Sequence, residues 1–185
     1  MKIIKTQSPK PKPTGKIKFG TVFTDHMFVA EYSASQGWHN ERIQPYQPFV
    51  LDPSSSIFHY GQGVFEGMKA YKNKTGEIMM FRPLENFKRM NSSNGRMMIP
   101  PIDEKKMLDG LVELVRLDQD WIPTGEGESL YIRPAIFACD AALGVHTATN
   151  YTFFIIMSPV GAYYANGLAP VKLFVEDFYV RASKG

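Results

Sequence analysis

A chain of 185 residues with 44% hydrophobic and 13% aromatic content can bury one core and is too apolar for a disordered polypeptide. Its formal charge of +3 resides at the start: residues 1–18 hold six lysines and no acid, leaving residues 19–185 at −3, which argues against a nucleic-acid or membrane-binding surface. One cysteine excludes an intrachain disulfide, and apolar runs such as residues 153–157 are far too short to span a bilayer.

In chain order, Pro9, Pro11 and Pro13 alternate with lysines, so residues 1–18 read as a flexible, solvated arm. The arm lacks the apolar core of a signal peptide and the arginine-rich amphipathic pattern of a transit peptide, which predicts a cytoplasmic protein. Residues 27–32 and 48–51 read as short strands, with Gly37-Trp38-His39-Asn40 as a polar turn between them. Residues 58–71 interleave Gly61, Gly63 and Gly67 with aromatic rings, a composition suited to walling a small-molecule pocket. Residues 68–71 and 78–81 flank a polar turn and predict a hairpin.

Pro83 then opens a helix to about residue 93, with Leu84, Phe87 and Met90 on its apolar face. A second helix runs from an Asp103 N-cap to about residue 120, carrying Met107, Leu108, Leu111, Leu114 and Val115 on one side. Residues 129–137 and 151–158 read as neighbouring strands, the second apolar enough for both faces to be covered. Residues 161–167 are loop-like, and residues 171–180 begin a new strand run. The elements sum to an α+β fold, helices packed on a mostly antiparallel sheet.

Tyr131 and Arg133 are two apart on a predicted strand, so their side chains share a face; that face is equally well a solvated one. Spacing alone makes Arg89 a solvent-facing charge on an amphipathic helix, and Arg82 offers the same chemistry. Tyr60, Phe65 and Tyr163 are pocket walls or core aromatics. Cys139, in the context Ile136-Phe137-Ala138, reads as a small buried packing residue. His26, His39, His59 and His146 have no metal-ligand spacing with one another or with Cys139, and Gly61-Gln62-Gly63 lacks the lysine of a P-loop.

Four segments at these spacings carry a family resemblance: Phe19-Gly20-Thr21 with Thr24-Asp25-His26-Met27; Tyr60 to Tyr71 with Phe65-Glu66-Gly67-Met68-Lys69; Phe81-Arg82-Pro83 with Asn86 and Lys88-Arg89-Met90; and Tyr131-Ile132-Arg133-Pro134. From about Phe19 onward the chain resembles the N-terminal part of a branched-chain amino acid aminotransferase, a pyridoxal 5'-phosphate (PLP) enzyme of fold type IV. The resemblance implies a small α+β domain at 19–165, an interdomain linker at 166–170, and at 171–185 the start, with its first strand, of a larger cofactor-binding domain. It implies that Arg89 binds the cofactor phosphate and that Tyr60, Phe65, Tyr131, Arg133 and Tyr163 wall the substrate pocket. Leu143 and Val145, around Gly144, would reach the active site of the other subunit of a homodimer.

The implied reaction moves an amino group between Leu, Ile or Val and 2-oxoglutarate. The lysine that bonds to the cofactor would follow Gly185, Lys184 being a different residue, so this stretch alone is expected to be inactive. A D-amino acid aminotransferase or aminodeoxychorismate lyase of the same fold stays open as an alternative, and so does a non-catalytic dimerising domain. The segment Gly37-Trp38 to Arg42-Ile43-Gln44-Pro45 resembles the branched-chain enzymes more than either enzyme.

Overall fold

The computed structural model describes residues 1–15, 17–161 and 169–180. Its frame is a mainly antiparallel sheet of β1 (Lys2–Ile3), β2 (His26–Ser33), β3 (Gly37–Pro45), β4 (Gly63–Phe65), β5 (Met68–Lys72), β6 (Ile78–Met80), β7 (Ser129–Ala138) and β8 (Asn150–Val160). The strands lie in the order β1-β3-β2-β8-β7-β5-β6, with β4 also paired to β7. Helices α1 (Ser56–Tyr60), α2 (Pro83–Arg96) and α3 (Glu104–Leu117) complete an α+β fold.

Strand periodicity sets the sheet's two faces. On β7 and β8, Leu130, Ile132, Ile136, Phe153 and Ile155 are buried with Phe87 and Met90 of α2 and Met107, Leu111 and Leu114 of α3. The intervening Tyr131, Arg133, Ala135, Thr152, Phe154 and Ile156 are half-exposed. The expectation that both faces of residues 151–158 are covered is therefore corrected: helices seal one face only. Helix α3 starts as predicted, with the Asp103 carboxylate accepting from the Lys106 N–H at 3.0 Å.

Pro134 sits inside β7, where proline is normally excluded for want of an N–H. Its carbonyl accepts from the Glu66 N–H at 2.9 Å, and Glu66 and Gly67 are the gap between β4, which ends at Phe65, and β5, which starts at Met68. Both backbone groups of an antiparallel residue face one neighbour, so the missing donor faces that gap. The interruption thus falls at the centre of the glycine-rich segment, beside the site described below.

Four sequence expectations change. Residues 1–12 are not a free arm: Ile3 pairs with Ile43, the Thr6 N–H donates to His26 Nε2 at 2.9 Å, and the Lys10 N–H donates to Asp25 at 2.8 Å. Lys10 Nζ lies 4.8 Å from the Tyr46 ring and Lys12 Nζ 4.9 Å from the Trp121 ring, so aromatic faces and a buried carboxylate take the charges that composition assigned to water. Residues 37–40 belong to β3; the turn precedes them, closed by Gln36 N–H to Ser33 carbonyl at 3.2 Å, and Gly37 takes φ +67°. Residues 48–51 form no strand. Val50 is fully exposed and Phe49 instead caps the open face, 5.5 Å from the Phe137 ring and 5.2 Å from that of Phe154. Residues 171–180 likewise form no strand and are exposed, with no neighbouring strand among the described residues to complete a ladder. The predicted linker and domain boundary fall largely on residues outside those described.

Candidate active site

The glycine-rich segment positions the site by two different means. Gly61 ends α1 in the left-handed region at φ +62°, its N–H bonding the Ile57 carbonyl at 3.1 Å. Gly67 is required for space: a Cβ there would lie 2.5 Å from the Tyr131 hydroxyl. The Tyr131 ring therefore lies against bare backbone at the strand break.

Tyr131 and Arg133 do share the open face. Arg133 donates to the Tyr131 oxygen from Nη2 at 2.8 Å and from Nε at 3.2 Å, and its guanidinium carbon lies 4.2 Å from the centre of the Phe65 ring. With that oxygen accepting from Arg133, the phenol's own proton is left to donate outward. Phe19 tilts against Tyr131 with ring centres 5.0 Å apart. Tyr131 also lines a cleft of about 330 Å³ with Gly67, Met68, Lys69, Tyr71, Phe81 and Asn86.

Asn86 joins this cluster to a second one. It donates to the Gly67 carbonyl at 3.3 Å and to Glu66 at 3.0 Å. Arg89, one helical turn along α2, grips the same carboxylate with both prongs at 2.6 Å, Nε to one oxygen and Nη2 to the other. Glu66 is 6% exposed and Arg89 67%. Burial pushes the Glu66 carboxyl up, but the bonds from Arg89 and Asn86 outweigh it and hold the group below the ordinary carboxylate range.

Tyr60 lies apart from Tyr131. Its hydroxyl donates to the Leu143 carbonyl, tying α1 to a loop on which Leu143 is 64% and Val145 89% exposed. That loop hangs from Asp140, which accepts from the amides of Thr149 at 2.8 Å and Asn150 at 2.7 Å and faces His146 Nε2 at 3.1 Å. The structure thus groups Phe65, Tyr131 and Arg133, sets Arg89 beside them through Glu66 and Asn86, and pairs Tyr60 with Leu143; Tyr163 lies outside the described residues. Arg82 is the left-handed N-cap of α2 at φ +47°.

The remaining reactive-looking groups have structural occupations. His26 Nδ1 sits 2.6 Å from Asp118, and Asp25 accepts from Trp121 Nε1 at 2.9 Å. Cys139 is half-buried rather than fully so, and burial pushes its thiol up, away from the reactive thiolate. It lines a separate cleft of about 440 Å³ with Glu31, Arg42 and Thr152, which holds none of the expected site residues. Among the described residues no group of three or more His, Cys, Asp or Glu could hold a metal ion, and no helix is long and apolar enough to cross a membrane.

No protein-family model matches the chain. Its whole length aligns at 51% identity with branched-chain-amino-acid aminotransferase 2 of Bacillus subtilis (strain 168), covering 51% of that protein. Along its whole length the chain is similar to branched-chain-amino-acid aminotransferases. It spans about half the length of the curated relatives it matches. In fold it is similar to the branched-chain aminotransferase of Thermoproteus uzoniensis with norvaline, at TM-score 0.59 and 24% identity over 76% of this chain and 43% of that one. The PLP holo-form of the Thermobaculum terrenum enzyme gives TM-score 0.54 at 20% identity, over 75% of this chain and 40% of the other. The aminotransferase resemblance and the α+β fold drawn from the sequence both hold.

Two residues of this site were given no individual role by the sequence. Glu66 and Gly67 stood in view within the glycine-rich run, but nothing local to that run says that a carboxylate there will meet an arginine 23 positions later. A buried acid between an aromatic residue and a glycine, followed by a helix bearing Asn and Arg three apart, is the signal that could have found the pair.

Proposed function

We propose that this chain forms one wall of the active site of a PLP-dependent transaminase that moves an amino group between Leu, Ile or Val and 2-oxoglutarate. When bound, the cofactor supplies the electron sink for that chemistry. The chain's own residues bind and orient. Arg89 offers its outer guanidinium edge to the phosphate, and the fit rests on its exposure and on an inner edge already anchored to Glu66. Tyr131, aimed by Arg133, donates its hydroxyl proton toward the substrate, while Phe65 gives an apolar surface for a branched side chain, with Tyr60, beside Leu143, and Tyr163 as further walls.

Leu143 and Val145 extend from the protein as an apolar loop that, in a homodimer, would close the partner's pocket. A cytoplasmic setting suits this metabolism. The D-amino acid and lyase readings have no observation in their favour. The single observation that carries the proposal is the convergence of Tyr131, Gly67, Asn86 and the Glu66–Arg89 fork around one cleft.

The test is PLP retention by the whole protein after Arg89→Ala. We expect a loss of about 1.5–3 kcal/mol in binding, the worth of hydrogen bonds to a charged group. Unchanged retention would remove Arg89 from the phosphate site. Transamination of Leu, Ile and Val against 2-oxoglutarate, compared with D-amino acids, tests the substrate class.

A further inference from the structure

We propose that Glu66 is a positioning residue: it locks the Arg89 guanidinium so that the opposite N–H edge is presented, already oriented, to the phosphate of the ligand. The inference rests on the phosphate reading of Arg89 given above and adds a residue to it. Glu66 is itself fixed. Its N–H is spent on the Pro134 carbonyl at 2.9 Å, its carboxylate is buried, and both of its oxygens are engaged. One oxygen takes Arg89 Nε at 2.6 Å; the other takes Arg89 Nη2 at 2.6 Å, Asn86 Nδ2 at 3.0 Å and, at 3.4 Å, the Gly67 N–H.

The consequence is geometric. A long arginine side chain on a helix surface ordinarily has many rotamers, and a ligand that recruits it pays their loss on binding. Here the fork to Glu66 has already removed that freedom, and the Nη1 edge has no partner among the described residues. The edge left over is the one that can meet two oxygens of a phosphate.

Stability is a poor explanation for the pair. Arg89 is two-thirds exposed, and ion pairs with such a partner contribute little. Charge is a worse one, because a carboxylate beside a phosphate repels it. The two influences of Glu66 on an anionic ligand therefore oppose each other, and an isosteric neutral replacement separates them. If geometry dominates, Glu66→Gln loosens the phosphate, since the amide presents N–H to an N–H of the guanidinium; if charge dominates, the same change tightens it.

The experiment measures dissociation constants of PLP and of unphosphorylated pyridoxal for the whole protein, in wild type, Glu66→Gln, Arg89→Ala and the double variant, with thermal melting as a control of folding. We expect Glu66→Gln to weaken PLP about tenfold, to leave pyridoxal unchanged, and to have no further effect once Arg89 is Ala. Full PLP affinity, or tighter binding, in Glu66→Gln while Arg89→Ala is impaired would overturn the positioning role and leave the phosphate reading standing. Equal weakening of PLP and pyridoxal would overturn it too, by making the pair a structural staple. An Arg89→Ala variant with unchanged PLP affinity would sink both. Should Glu66→Gln fail to fold, Arg89→Lys serves: it keeps the charge but cannot fill the fork, so loss of PLP affinity comparable to Arg89→Ala is expected and full retention refutes the proposal.

Discussion

The two faces of the β7–β8 pair are made from alternate residues of the same strands, yet they meet opposite demands. Leu130, Ile132, Phe153 and Ile155 are fully buried against α2 and α3, whereas Tyr131, Arg133, Phe154 and Ile156 remain half-exposed. The strand period keeps the demands separate: a substitution on one face leaves the other face's residues where they point, and only a register slip would exchange them. Packing is concentrated where the helices lie, and the side chains proposed to meet a ligand stand where no helix covers the sheet.

The sharpest way to break this comparison is to make one cut on each face. Phe153 is fully buried, with the rings of Phe28, Trp38 and Phe87 at 5.8, 6.3 and 6.5 Å. Phe153→Ala should cost about 3–5 kcal/mol of unfolding free energy in urea. Its neighbour Phe154, half-buried among Phe49 and Phe137, should cost about 1–2 kcal/mol on the same change, because less area leaves water. Equal costs would mean that the open face is part of the core.

Glycines give the next test, since the two faces each hold one that a Cβ would drive to 2.5 Å. At Gly110 of α3 the obstacle is the buried Phe28 ring; at Gly67 it is the Tyr131 hydroxyl on the open side. Gly110→Ala should destabilise by about 1–3 kcal/mol, overpacking outweighing the helical advantage of alanine. Gly67→Ala should lower stability by less than about 1 kcal/mol, since Tyr131 can swing outward, but it should abolish the Tyr131–Arg133 geometry. Comparing unfolding curves with the crystallographic position of Tyr131 checks both; a Tyr131 left in place in Gly67→Ala would contradict the fit described here.

How much of this was legible depends on the range of the signal. The helices at α2 and α3, and strands β7 and β8, announced themselves because apolar period, proline at a first turn and an Asp N-cap are local. The same-face placement of Tyr131 and Arg133 followed from the period of two alone. What failed was non-local. Lys10 and Lys12 looked solvated because their partners, Asp25, Tyr46 and Trp121, lie far along the chain, and Glu66 met Arg89 only through the fold. Residues 37–40 misled because a strand near the sheet edge, half in water, can carry the polar composition of a turn.

The smallest expected effect concerns two His–Asp pairs of contrasting burial. His26 and Asp118 are buried, whereas His146 is exposed and holds the loop bearing Leu143 and Val145 to Asp140. Both His146 ring nitrogens face acceptors, the Gly144 carbonyl at 2.6 Å and Asp140 at 3.1 Å, so the doubly protonated ring fits best and its pKa is raised. A raised folded value means this tether is complete below the unfolded value of about 6.5 and is lost as pH climbs through the folded one. Burial pushes the Asp140 carboxyl up, but bonds from Thr149, Asn150 and His146 prevail and lower it, so its contribution is present above about pH 3.9 and lost as pH falls through the folded value. The loop should therefore be best held in the interval between, and amide exchange at Thr149 and Asn150 should accelerate beyond the intrinsic rate as pH rises above the ordinary imidazole value. His146→Gln should flatten that alkaline limb and leave the acid limb, set by Asp140, in place. Exchange in the parent protein that follows the intrinsic rate across the alkaline interval would show that the ring does not carry the loop.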